Sequence, residues 1–216
     1  MTLHRLFPDP QPRAPFPWRG LRVGLLGGSF NPAHQGHRHI AEEALRRLRV
    51  DVVWWLVSPQ NPLKSADEMA PTIRRIASAR SVARHPRMVV SALEDKLGTR
   101  FTLDTLTTLQ RRFPKTRFVW LMGADNLVQI PRWQGWTTIF DVVPVAVFDR
   151  APYSVRMVGG KAFQRFRQRI NQSTDVARLA DRPTPALAVL RIRRHPASAT
   201  AIRQQGAPTR PGGSGR

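Results

Sequence analysis

The chain has 216 residues, of which 41% are hydrophobic, and it contains no cysteine. This length and apolar content suit one α/β domain, and the lack of cysteine excludes disulfides, thiol catalysis and cysteine-ligated metal sites. The net charge of +21 raises the question of nucleic-acid binding. No apolar run reaches the ~18 residues of a membrane span, and the first residues lack the apolar core of a signal peptide. We therefore expect a cytoplasmic protein.

The positive charge has more than one interpretation. Arginine far outnumbers lysine, alongside much alanine and proline, a bias typical of a GC-rich genome as much as of a binding surface. The excess is concentrated in residues 150–216, and a basic tail can simply be solvated. An enzyme of polyphosphate substrates also gains from a positive field that steers anions inward. We expect no specific nucleic-acid partner, and a basic nucleic-acid-binding protein is the alternative from another class.

Proline and glycine mark the two ends of the chain. Residues 1–19 contain five prolines and are predicted to form an extended or disordered extension. Residues 206–216 are rich in glycine and proline and are predicted to be a flexible tail. One domain is then expected at residues 20–205.

Between these ends, short apolar runs alternate with helical patterns. Nearly continuous apolar runs are typical of buried parallel strands, and they predict strands at Leu21–Leu26, Val52–Val57, Arg87–Ser91, Arg117–Met122, Val142–Phe148 and Ala188–Ile192. Helices are predicted at His37–Arg49, Pro71–Arg84, Thr102–Phe113, Thr137–Phe140, Lys161–Ile170 and Ser198–Gln204. The alternation indicates an α/β fold with a doubly wound parallel sheet in a single domain. Ligands of such sheets bind outside the carboxyl ends of the strands.

The most informative stretch follows the first predicted strand. Gly27-Gly28-Ser29-Phe30-Asn31-Pro32 leads into His34-Gln35-Gly36-His37 at the start of a predicted helix. A helix N-terminus offers unpaired N–H groups and about +0.5 of a charge, and glycine lets the backbone approach an anion closely. Two imidazoles at that point can donate to phosphate oxygens. The stretch resembles the GG(S/T)F(D/N)PxHxGH signature of the nucleotidyltransferase superfamily, and a strand–turn–helix with two surface histidines is the alternative.

A second anion site is predicted after the last strand, in Ser198-Ala199-Thr200-Ala201-Ile202-Arg203. Hydroxyls at a helix start can cap N–H groups or bond phosphate, and arginine brings a planar donor fork. An ordinary capped helix is the alternative. Together with the histidine block, the segment resembles the (I)SxTxIR signature of adenylyltransferases, although Ala197 replaces the usual isoleucine and Ala199 the usual second hydroxyl.

A third pattern, Met122-Gly123-Ala124-Asp125-Asn126-Leu127, ends the fourth strand and is followed by Pro131-Arg132-Trp133-Gln134-Gly135-Trp136. Gly123 permits close approach of an adenosine, and Asp125 can accept from ribose hydroxyls. Trp133 offers a flat face for an aromatic ring, although core packing explains either tryptophan equally well. GADNLxQxPRWxxW is similar to the bacterial nicotinate-nucleotide adenylyltransferases.

Two further segments resemble that family. Ser58 to Lys64 resembles its P-x-x-x-P-x-K loop, and Thr99 to Leu106 resembles its (S/T)-x-(Y/F)-T-x-D-T-L segment. A solvated lysine and a helix N-cap are the alternatives for Lys64 and Thr102. The ordered blocks span about residues 21–205, so the resemblance implies the Rossmann-like nucleotidyltransferase fold.

The resemblance also implies an activity: transfer of the adenylyl group of ATP to nicotinate mononucleotide, giving nicotinic acid adenine dinucleotide (deamido-NAD) and pyrophosphate in NAD biosynthesis. The implied catalytic residues are His34, His37 and Arg203. The implied ATP site consists of Gly27, Gly28, Ser29, Phe30, His34, His37, Gly123, Asp125, Ser198, Thr200 and Arg203. The implied mononucleotide contacts are Asn31, Lys64, Thr102 and Trp133. Mg²⁺, held mainly by the ATP phosphates, is the expected cofactor, with no dedicated metal site on the protein.

Some questions stay open at this level. Another small-substrate nucleotidyltransferase, of the nicotinamide mononucleotide, phosphopantetheine or cytidylyl type, is the alternative within the enzyme class. The tryptophan segment and its spacing speak against the last two. Side chains alone do not decide between an acid and an amide pyridine substrate. The oligomeric state is open, and a homo-oligomer is compatible with the sequence.

Overall fold

The computed structural model describes residues 7–59, 69–149, 154–169 and 176–193. The strands are Arg22–Gly28 (β1), Val52–Val57 (β2), Met88–Ser91 (β3), Arg117–Gly123 (β4), Val145–Asp149 (β5) and Leu187–Arg191 (β6). The α-helices are Gln35–Arg47 (α1), Thr72–Val82 (α2), Leu93–Leu97 (α3), Thr102–Arg112 (α4), Ala124–Gln129 (α5), Trp136–Val142 (α6), Ser154–Val158 (α7) and Lys161–Phe166 (α8). No helix of the described residues has the length and apolarity that crossing a membrane requires.

The six strands form one sheet in the order β3-β2-β1-β4-β5-β6, and every neighbouring pair is parallel. This confirms the predicted doubly wound parallel sheet. The strand order reverses beside β1, so the crevice beyond the carboxyl ends of β1 and β4 is the topological switch point, where ligands of such sheets bind. Leu26 of β1 pairs with Leu121 of β4, which sets the ends of these two strands side by side.

Hydrophobic clusters cover both faces of the sheet. Leu25 belongs to the cluster that includes side chains of α4 and α6, whereas its neighbour Leu26 belongs to the cluster that includes side chains of α1. Successive residues of a strand point to opposite faces, so a strand buried on both sides must be apolar at every position. This explains the uninterrupted run Val52–Val57, which the structure buries in full.

Several element boundaries differ from the predictions. β1 continues past Leu26 to Gly28, and the fifth strand begins at Val145 because α6 runs to Val142. The helix predicted at Lys161–Ile170 is α-helical only to Phe166 and continues as a 3₁₀ turn. The short helices α3, α5 and α7 were not predicted, since five or six residues carry too little periodicity. The helix predicted at Ser198–Gln204 lies outside the described residues.

In the described part of the N-terminal extension, predicted to be extended or disordered, Trp18 packs on the domain. Trp18 is 1% exposed and belongs to the core cluster that covers one sheet face. Its ring stacks on Phe7 at 5.6 Å and meets Trp54 edge-on at 4.7 Å. The buried ring of Trp18 and its contact with Phe7 therefore attach this part of the extension to the core.

Candidate active site

The two predicted histidines lie at the start of helix α1, where both rings accept hydrogen bonds from backbone N–H groups of the first turn. His34 is the N-cap residue, and its Nδ1 accepts from the backbone N–H of Gly36 at 3.1 Å. The backbone N–H of His34 in turn donates to Nδ1 of His37 at 3.2 Å. The arrangement is a capping box in which imidazole nitrogens take the places of the usual hydroxyl and carboxylate oxygens.

These hydrogen bonds decide where each neutral ring carries its proton. A nitrogen that accepts from a backbone N–H has no proton of its own, so the proton of a neutral ring is on Nε2 in both histidines. The rings lie side by side, with centroids 3.8 Å apart and planes 31° apart. His34 is buried and His37 is half-buried. The helix start therefore holds two adjacent imidazoles whose Nδ1 atoms are engaged by the backbone, so that Nε2 is the nitrogen at which each ring can donate.

Phe30 supports this pair from below. Its side chain is 2% exposed, stacks on Trp55 at 5.2 Å and meets the His37 ring at 5.0 Å and 65°. Its φ of +46° lies in the left-handed region, where the chain turns from β1 toward α1. The Phe30 side chain is thus part of the core beneath His37, and its predicted contact with ATP stays a prediction.

The turn after β1 is held by hydrogen bonds to α2 and to a residue that precedes α2. The Asn31 side-chain Oδ1 accepts from the backbone N–H of Ala70 at 3.3 Å. The backbone N–H of Ala33 donates to the Ser78 hydroxyl at 3.1 Å. The guanidinium of Arg75 donates a third bond, to the Ser29 carbonyl. Sequence reasoning missed Arg75, since nothing in its local pattern separates it from the other arginines of that helix.

The GADN motif lies at the same edge of the sheet as the histidines. Gly123 is the last residue of β4 and the N-cap of α5, with extended backbone angles. Asp125 lies in the first turn of α5 and is half-buried. Because β1 and β4 are neighbours, the structure places Gly27, Gly28 and Ser29 across the switch point from Gly123 and Asp125.

The tryptophan segment packs against the first turn of α4. Gly135 has a φ of +59°, and a Cβ at this position would overlap the Leu103 side chain. Phe101 is the N-cap residue of α4, and Thr102 is its first helical residue. The alternative interpretation of Thr102 as the N-cap is therefore wrong. The structure therefore brings together the two regions that carry Thr102 and Trp133.

The two tryptophans differ in their surroundings. Both are half-buried and pack against the core cluster. Trp136 meets the rings of Phe140 and Phe166 edge-on, at 6.4 and 6.2 Å. Aromatic contacts therefore account for Trp136 as a packing residue, whereas the binding role of Trp133 stays a prediction.

A buried polar chain lies behind the first turn of α4. The Thr105 hydroxyl is 3.2 Å from a Glu94 carboxyl oxygen and 2.8 Å from the Thr99 hydroxyl. Burial raises the pKa of Glu94 to about 7, although the hydrogen bond from Thr105 acts in the opposite direction. Sequence reasoning assigned no role to Glu94, because a lone glutamate in a polar stretch gives no signal of burial.

Four of the predicted site residues belong to segments that the structure does not describe. Lys64, Ser198, Thr200 and Arg203 lie outside the described residues. Within the ranges that are described, no group of three histidine, aspartate or glutamate side chains could hold a metal ion.

Comparison with known proteins identifies the family. The cytidylyltransferase-like family model matches residues 25–205. A probable nicotinate-nucleotide adenylyltransferase of Parvibaculum lavamentivorans is 52% identical over 87% of this chain and 93% of the relative. A protein of the same description from Cereibacter sphaeroides is 49% identical over 85% of this chain and 97% of the relative. These matches confirm the resemblance drawn from the motifs.

Solved structures support the fold. The Plasmodium falciparum nicotinic acid mononucleotide adenylyltransferase complexed with NaAD aligns with a TM-score of 0.62 at 14% identity, over 85% of this chain and 83% of that protein. The same protein complexed with APC aligns with a TM-score of 0.59, also at 14% identity and over the same shares of the two chains. At this identity, the likeness concerns the fold alone.

Proposed function

Because the chain belongs to the cytidylyltransferase-like family and, within it, to the nicotinate-nucleotide adenylyltransferases, we propose that it transfers the adenylyl group of ATP to nicotinate mononucleotide. The products are nicotinic acid adenine dinucleotide and pyrophosphate, in the course of NAD biosynthesis. The observation that carries the proposal is the capped imidazole pair, His34 and His37, at the start of α1 beside the switch point. We place the reaction in the cytoplasm.

The proposed reaction is a single in-line displacement. An oxygen of the mononucleotide phosphate attacks the α-phosphorus of ATP and forms the new P–O bond. The bond from the α-phosphorus to the oxygen of the β-phosphate breaks, and pyrophosphate leaves with that electron pair. Catalysis of such a step depends on positioning and on stabilising the charge of the phosphoryl oxygens, so no covalent enzyme intermediate is needed.

The imidazole pair suits this step because its orientation is set before substrate arrives. Backbone N–H groups hold Nδ1 of both rings and so fix the ring orientation at the helix start; we propose that Nε2–H of His34 and His37 donates to phosphoryl oxygens. The N-terminus of α1 adds its own partial positive charge. We propose that Arg203, Ser198 and Thr200 hold the β- and γ-phosphates.

The remaining predicted contacts divide between the two substrates. We propose that the turn Gly27 to Phe30 and the pair Gly123 and Asp125 surround the nucleotide of ATP at the switch point. Asn31, Lys64, Thr102 and Trp133 would receive the mononucleotide. The contact between Gly135 and Leu103 supports this division, because it sets the tryptophan segment beside the start of α4.

The expected Mg²⁺ is part of the ATP substrate in the proposed reaction. The described residues contain no cluster of metal-ligating side chains, and Mg²⁺ commonly keeps several waters and is held through substrate phosphates. We propose that the ion is held mainly by the phosphates of ATP.

A coupled pyrophosphate-release assay tests the proposal. ATP with nicotinate mononucleotide should release pyrophosphate, and the same mixture without mononucleotide is the control. Release with nicotinamide mononucleotide at a higher kcat/KM would move the chain to the amide substrate, and release with neither would refute the proposed function. A nucleic-acid-binding protein would instead bind a random oligonucleotide. Its affinity would fall steeply with salt concentration and would not change when ATP is added.

A further inference from the structure

Arg75 of α2 is a buried cation whose bonds all go to oxygens of the chain itself. Its side chain is 2% exposed. A guanidinium has five N–H donors, and here each has a partner at 2.7 to 2.9 Å. The acceptors are the carbonyls of Ser29, Ser58, Pro59 and Ala70 and the hydroxyl of Thr72.

These acceptors belong to three separate segments at the carboxyl edge of the sheet. Ser29 lies in the turn after β1, Ser58 and Pro59 follow β2, and Ala70 precedes α2. The planar guanidinium of Arg75 thus connects the residues that follow β1 and β2 to the start of α2. The carbonyls of Pro59 and Ala70 are thus bonded by the same side chain.

Two further bonds strengthen the same connection. Asn31 accepts from the backbone N–H of Ala70, and Ser78 of α2 accepts from the backbone N–H of Ala33. The turn that leads to the imidazole pair is therefore tied to α2 on both sides of Phe30. We name these contacts of Arg75, Asn31 and Ser78 the α2 clamp.

Stability alone does not explain a charge at this position. Burial lowers the pKa of Arg75, partly opposed by the charge of Asp95, and among the described residues no carboxylate forms an ion pair with it. Taking a cation out of water is costly, and an apolar side chain of similar volume often serves stability equally well. The planar guanidinium instead donates its hydrogen bonds in fixed directions. Neither an apolar side chain nor a lysine ammonium can do this.

We propose that Arg75 is a positioning residue for adenylyl transfer. It touches no substrate. It sets the turn after β1, which leads to the imidazole pair, against the exit of β2 and the start of α2, and thereby fixes the position of His34 and His37 relative to the reacting phosphates. The inference rests on the proposed function, because alignment has a kinetic consequence only if the phosphates react at this edge.

Kinetics of Arg75→Lys test the inference, with Arg74→Lys as the matched control. Arg74 is the exposed neighbour on the same helix. Lysine keeps the charge, but its three donors lie on one nitrogen. The variant therefore lacks the planar arrangement of donors with which Arg75 bonds the three segments. A misplacement of about 1 Å can cost about 10²-fold in rate. We expect Arg75→Lys to lower kcat about 10- to 100-fold while the KM for ATP changes less than about threefold, and Arg74→Lys to match the parent enzyme. A parental kcat in Arg75→Lys would overturn the inference.

Amide hydrogen exchange supplies a readout that does not depend on activity. The backbone N–H groups of Ser58, Ala70 and Ala33 report on the clamp, because each is bonded within it or beside it. In Arg75→Lys these amides should exchange about tenfold faster, with amides of the central strands β1 and β4 unchanged. A uniform loss of protection over the whole sheet would mean a merely stabilising role and would overturn the inference. If the parent protein shows no adenylyl transfer, the proposed function fails, and the exchange pattern alone decides whether Arg75 positions these segments.

Discussion

The indole ring of Trp120 fills the space that a side chain at Gly27 would occupy. A Cβ on Gly27 would overlap the far edge of that ring. Trp120 belongs to β4 and Gly27 to the end of β1, so the two strands that flank the switch point meet through this contact. The glycine that the sequence assigned to phosphate approach is therefore also required by the packing between the two strands.

Gly27→Ala should destabilise the protein by about 1–3 kcal/mol, the usual cost of overpacking a dense core. Urea denaturation followed by circular dichroism measures the change. Gly28→Ala is the matched control, because a Cβ there would meet the Phe30 ring at an ordinary 3.5 Å. Equal losses of unfolding free energy in the two variants would show that contact with Trp120 is not the reason.

His37→Ala should reduce the turnover of adenylyl transfer by about 10²-fold, the scale of losing one oriented donor to the transition state. It should also lower stability, since the His34 backbone N–H loses its acceptor. His37→Asn restores an oxygen near the position of Nδ1 but no donor at the position of Nε2. We expect the asparagine variant to recover the melting temperature and not the turnover. Full turnover in either variant would remove His37 from the proposed mechanism.

Trp133→Ala should raise the KM for nicotinate mononucleotide, because stacking on a tryptophan face contributes about 0.5–1.5 kcal/mol beyond burial. This corresponds to roughly 2- to 13-fold in KM. Initial rates at varied mononucleotide and varied ATP separate the two substrates. Trp136→Ala is the comparison, since Trp136 packs against Phe140 and Phe166 and its loss should chiefly lower stability. A rise in the KM for ATP alone would refute the proposed division of the pocket.

The Glu94 carboxyl should make the stability depend on pH. Its pKa is about 7 in the folded protein against an ordinary value of 4.5, so between these values the folded state holds a proton that the unfolded chain has released. The contribution is complete below about pH 4.5 and is lost as pH rises through about 7. At about 1.4 kcal/mol for each pKa unit, the loss amounts to at most about 3.5 kcal/mol.

Glu94→Gln isolates this effect, because the amide cannot titrate and keeps an oxygen toward Thr105. Unfolding free energies from urea denaturation at about pH 5 and about pH 8 should fall more steeply for the parent protein than for Glu94→Gln. All other titrating groups are common to the two proteins and cancel in the difference. Identical pH profiles would show that Glu94 is ionised throughout this range.

Local patterns predicted much of this architecture, and they failed where distant residues decide. The six strands were recognised because a strand buried on both faces must be apolar along its length. The strand Val142–Phe148 was predicted too long, since Val142 is equally apolar in the last turn of α6. The prolines of residues 1–19 predicted an extended or disordered extension and gave no sign that Trp18 is buried against Trp54. No local pattern reveals a partner that lies far along the chain.

The sequence by itself determined the family, the strand–helix alternation and the histidine block, because glycines, imidazoles and apolar runs carry their chemistry in the order of neighbouring residues. Tertiary structure alone decided the order of the strands, the proton position on His34 and His37, and the buried roles of Arg75 and Glu94. Each of these depends on which groups meet in space: a backbone N–H pointing at Nδ1, carbonyls of three segments around one guanidinium, a carboxyl shut away from water.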